Sequence, residues 1–64
     1  MYERIEALVK ERGMNMSALS RETGVAENIF SNLKSRGGNL SIDNALKVAR
    51  FFGVRIEDLI GDET

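Results

Sequence analysis

Glycines at positions 13, 24, 37, 38, 53 and 61, with no proline anywhere, cut this chain into segments of roughly ten residues whose apolar side chains recur at helical spacing. That punctuation limits the fold. A helix of this length is marginal alone and persists only by burying its apolar face against neighbours. In the first segment Met1, Ile5, Leu8 and Val9 fall on one face, Glu6 and Lys10 form an i,i+4 pair, and Gly13 suits a C-terminal cap. Asn15 is a good N-cap for a second helix that runs through Leu19 and stops at Gly24. A third, from near Ala26 to near Ser35, puts Ala26, Phe30 and Leu33 on one side and Asn28, Ser31, Asn32 and Ser35 on the other. Residues 35–39 form a flexible loop by composition. Ser41 then caps a fourth helix, in which Ile42, Ala45, Leu46, Ala49 and Phe52 keep the apolar spacing and Gly53 ends it. Ile56, Leu59 and Ile60 make a short fifth helix, and residues 61–64 are expected to fray. Only the brief stretch 54–56 resembles a strand.

The expected fold is therefore all-α, with five short helices in one compact domain over residues 1–64. Such a domain has no room for a pocket large enough to suit typical small ligands, so any chemistry falls on the surface. The 64 residues include no Cys, His or Trp, which excludes disulfides, most zinc sites, thiol nucleophiles and imidazole acid–base chemistry. Neither a glycine-rich phosphate loop nor a pair of carboxylates in a recognisable cleft is present. The acidic residues Glu57, Asp58, Asp62 and Glu63 lack calcium-loop spacing and read as a solvated end. The chain is expected to be no enzyme and to bind neither metal nor small-molecule cofactor. Its first residues, MYERIEALVKERG, lack the apolar run of a signal peptide or membrane span, so a cytoplasmic protein without membrane contact is expected.

Net charge is −1 and the isoelectric point about 5.3, which by themselves give no support to a nucleic-acid partner. The distribution is more informative. Residues 28–55 carry Lys34, Arg36, Lys47, Arg50 and Arg55 against Asp43 alone, a net of +4, and the acidic end cancels that excess.

The most specific stretch is residues 15–33, NMSALSRETGVAENIFSNL. A helix, a tight turn at a glycine and a second short helix, with apolar anchors at Leu19, Val25, Phe30 and Leu33, make a helix-turn-helix unit over about 16–35. Ser20 is small enough to let the two helices approach, and Gly24 permits the left-handed backbone of a sharp turn. With this unit, the first helix ending at Gly13 and the tail LSIDNALKVARFFGVRIEDLIG, nearly the whole chain resembles the lambda-repressor-like, Cro/repressor-type (XRE-type) helix-turn-helix family.

That resemblance implies sequence-specific binding of double-stranded DNA, usually as a homodimer, with the second helix of the unit in the major groove. The family's base-reading places fall on Glu27, Asn28 and Asn32, with Ile29 and Ser31 beside them. These side chains suit base reading, since Asn can bond adenine through N6 and N7, Glu can accept from cytosine N4, and Ile29 can touch a thymine methyl. Phosphates would be held by Asn15 and Ser17 with nearby backbone N–H groups, and by Lys34, Arg36 and Asn39 beyond the reading helix. Some positions depart from the family pattern. Met16 stands where a Gln commonly begins the unit, Ser20 for the usual Ala, Thr23 for an apolar residue, Ala26 for a capping Ser or Thr, and Arg55 for a common Ser. Phe51 and Phe52 cannot both face one core, which leaves Phe51 or Val48 as a possible dimer contact.

Function is thus expected to be transcriptional regulation, as a repressor of phage or bacterial type. Two other readings stay open. One is a protein-interaction module of antitoxin type on the same fold, with weak or no DNA binding, motivated by the acidic total, Met16 and Glu27. The other is that the chain is a domain of a longer repressor.

Overall fold

The computed structural model describes residues 1–60, so the fraying expected at residues 61–64 lies outside it. The described residues form α1 (Tyr2–Glu11), α2 (Met16–Thr23), α3 (Glu27–Arg36), α4 (Ile42–Phe52) and α5 (Ile56–Ile60), and no strand forms among them. Local chemistry explains most of the boundaries. The α1 end is closed by bonds from the Gly13 N–H to the Lys10 carbonyl (3.0 Å) and from the Met14 N–H to the Val9 carbonyl (3.1 Å). Asn15 Oδ1 accepts from the Ala18 N–H at 2.8 Å and starts α2, while Ser41 Oγ accepts from the Asn44 N–H at 3.4 Å and starts α4. At α5 the side chain of Asp58 reaches back to accept from the Arg55 N–H at 3.2 Å. This half of a capping box needs nothing from the Arg55 side chain, which explains how Arg is accommodated there.

One apolar cluster holds the helices together: Ile5 and Val9 from α1, Leu19 from α2, Val25 from the turn, Phe30 and Leu33 from α3, Val48, Ala49 and Phe52 from α4, and Leu59 from α5. α1 packs on α2, α3 and α5, α2 also on α3 and α4, and α4 on α5. Arg12 clasps α1 to α4. Its guanidinium lies 5.4 and 5.2 Å from the ring centres of Phe51 and Phe52, and its Nη2 donates to the Phe52 carbonyl at 3.2 Å.

Four expectations need correction, the first being the loop over residues 35–39: Ser35 and Arg36 are the last residues of α3, which ends at Gly37. The apolar face of α4 is rotated from the one read in sequence, because Ala45, Val48, Ala49 and Phe52 form the tightest i, i+3, i+4, i+7 set and enter the core. Ile42 and Leu46 flank that face and are left 67% and 37% exposed. Val48 is consequently no dimer contact, being fully buried, and Phe51 is half-buried against the core. At the start of α3, Ala26 is exposed and Val25 takes the core position, since the helix begins only at Glu27.

Candidate nucleic-acid interface

The turn between α2 and α3 sets the direction of α3, and its geometry follows from three residues. Gly24 takes φ +82°, a left-handed conformation that L side chains rarely adopt, and its N–H closes α2 on the Ser20 carbonyl at 2.9 Å. Val25 follows with its side chain buried and both backbone groups held by hydroxyls of α2. Thr23 Oγ1 accepts from the Val25 N–H at 3.3 Å while donating to the Leu19 carbonyl at 2.7 Å, and Ser20 Oγ donates to the Val25 carbonyl at 2.6 Å. Ser20 and Thr23 therefore do more than fit: they satisfy the backbone at the point where the chain reverses.

From that anchor α3 runs with Phe30 and Leu33 inward and Asn28, Ser31, Asn32 and Ser35 exposed on the opposite side. The periodicity places this polar face without help from any other part of the chain. No side chain caps the helix, as Ala26 offers no acceptor; the Glu27 carboxylate in the first turn suits the positive end of the helix dipole instead.

Grooves border α3 on both flanks. The larger, about 400 Å³ and open to solvent, has Glu27, Asn28, Ser31 and Lys34 on its α3 side, Tyr2 and Met16 opposite, and Phe30 beneath. Its size makes the expectation of no ligand-sized depression too strict, although the space is an open surface groove. On the other flank a smaller groove brings Asn32 and Arg36 of α3 together with Asn39, and Ile29, Leu33 and Leu40 supply its apolar lining.

The candidate residues thus divide. Glu27, Asn28, Ser31 and Lys34 meet in one groove, and Ile29, Asn32, Arg36 and Asn39 in the other. Ile29 is half-buried and packed on the core, so only part of it faces outward. Asn15 and Ser17 line neither groove, and the Asn15 carboxamide oxygen is engaged in capping α2. Of the five basic residues in the positive middle of the sequence, Lys34 and Arg36 border these grooves, whereas Lys47, Arg50 and Arg55 do not. Tyr2 and Met16 are participants that sequence reasoning missed as groove walls. Tyr2 lies three residues before Ile5 on the α1 stripe, and that spacing was the available signal.

Among the described residues no helix is long and apolar enough to cross a membrane. A family model described as the Cro/C1-type HTH DNA-binding domain matches residues 4–64. No curated protein and no solved structure gives a match.

Proposed function

Because the chain belongs to the Cro/C1-type helix-turn-helix DNA-binding family, and is on that ground a DNA-binding regulator, we propose that residues 1–64 act as one operator-binding domain of a transcriptional repressor. The reading includes a phage or bacterial type of regulation, a cytoplasmic setting and a homodimer that places α3 of each copy in successive major grooves, about 34 Å apart. The observation that carries it is the outward face of α3, where uncharged donors and acceptors are exposed, with Glu27 and Lys34 on one flank and Arg36 on the other. On this reading Asn28 and Asn32 bond adenine edges, Glu27 accepts from cytosine N4, Ser31 bonds a base edge, and the outer part of Ile29 touches a thymine methyl. Lys34, Arg36 and Asn39 hold phosphates at one end of the unit, and Asn15, Ser17 and the first N–H groups of α2 hold them at the other.

Selection of duplexes from a random DNA library, at low and physiological salt, tests this reading. A roughly palindromic enriched sequence, bound with a steep salt dependence, is the expected result.

A second reading, a protein-interaction module on the same fold, is favoured by one observation, the exposed Ile42 and Leu46 on α4. It predicts a salt-insensitive protein complex and no enriched duplex.

A further inference from the structure

The larger groove beside α3 has walls of opposite character. Its α3 wall offers the Glu27 carboxylate, the Asn28 amide, the Ser31 hydroxyl and the Lys34 ammonium. The facing wall is Met16 and Tyr2, both half-buried and packed on the core, with Phe30, only 2% exposed, below them. Where a Gln at the start of α2 would offer a hydrogen bond, Met16 offers a thioether on an adaptable chain, which distinguishes ligands only by apolar contact.

The major groove displays one apolar mark among its donors and acceptors, the methyl group at C5 of a pyrimidine. We propose that Met16, backed by Tyr2, forms a seat for that methyl group, beside the base edges reached by Asn28 and Ser31. The inference rests on the reading of α3 as the DNA-reading helix. Thymine carries this methyl in ordinary DNA, and 5-methylcytosine carries the same group. The Glu27 carboxylate on the same groove is the acceptor suited to cytosine N4. Ile29 borders the opposite groove, so any methyl it touches lies at a different position of the half-site.

The test replaces each thymine of the selected duplex, one at a time, by deoxyuridine, and each cytosine by 5-methylcytosine, and measures affinity at fixed salt. At one position per half-site, separate from any that Ile29 touches, affinity should change by about fourfold in favour of the methylated base, the value expected for burying one methyl group. A thymine position assigns the seat to thymine, and a cytosine position assigns it to 5-methylcytosine. Met16→Gln, which keeps the side-chain length, should bind methylated and unmethylated duplexes equally at that position, while Ile29→Ala keeps the difference there. Circular dichroism checks that both variants stay folded, and Met16→Leu should retain the discrimination through its own apolar surface. A selected duplex in which Met16→Gln abolishes the methyl dependence of no position overturns the inference and leaves the reading of α3 standing. Failure to enrich any duplex overturns it together with the reading on which it rests.

Discussion

The Ser20 hydroxyl donates a 2.6 Å hydrogen bond to the carbonyl of Val25, five residues along the chain and across the turn. Thr23 accepts from the N–H of the same residue, so the backbone of Val25 is held at both ends by α2 while its side chain sits in the core. The direction in which α3 leaves the turn is set there.

Removing the first of these bonds should therefore loosen the joint. Ser20→Ala is expected to cost about 1 kcal/mol, the net value of one such bond plus the loss of a partner for a partly buried carbonyl. In thermal unfolding, a domain of this size should lose roughly 4–8 °C per kcal/mol. An unchanged melting temperature would count against the joint.

Gly24 makes a separate contribution. An added Cβ would meet no atom within 4 Å, so Gly24→Ala suffers backbone strain and no clash. The expected destabilisation is about 1–2 kcal/mol, with Gly24→Asn milder because Asn enters the left-handed region more readily. Urea melts of the two variants decide the order.

The start of α3 has room for improvement. Ala26 has the extended backbone of an N-cap, φ −61° and ψ 145°, but no side chain to bond the first free N–H groups. Ala26→Ser should stabilise the protein by about 0.5–2 kcal/mol. No rise in the urea midpoint would show that those N–H groups gain nothing from the added hydroxyl.

Arg12 holds α1 to α4 through two aromatic rings and the Phe52 carbonyl. Arg12→Ala should cost about 1 kcal/mol, and Arg12→Lys should recover only part of that, because a compact, strongly hydrated ammonium does not match the spread guanidinium in facing two rings and the Phe52 carbonyl together. Equal stability of the Lys variant and the parent would contradict this account.

Much of this was legible before the structure, and the reasons are local. The caps at Asn15 and Ser41, the stops at Gly24 and Gly53, and the polar face of α3 are set by residues within one or two turns of each other. The misread features depend on distant neighbours. Ile42 and Leu46 share helical spacing with the core residues of α4, and only the placement of α2 and α5 decides that Val48 enters the core instead. Ser20 and Thr23 could be judged by size from the sequence, but their hydroxyl bonds exist only once the turn has closed. Among the candidate DNA-contacting residues, the α3 set follows from one helix. The joining of Tyr2 and Met16 to it needs α1 and α2 to dock, and the sequence does not display that arrangement.

The central claim, that α3 reads base sequence while its flanking cations hold the backbone, is tested most directly by comparing Asn28→Ala, Asn32→Ala and Arg36→Ala on the selected duplex and on unrelated DNA. Each Asn variant should lose about 1–3 kcal/mol on the selected duplex and almost nothing on unrelated DNA, whereas Arg36→Ala should weaken both and reduce the salt slope by about 1. Selected-duplex binding that is unchanged in both Asn variants would contradict the account.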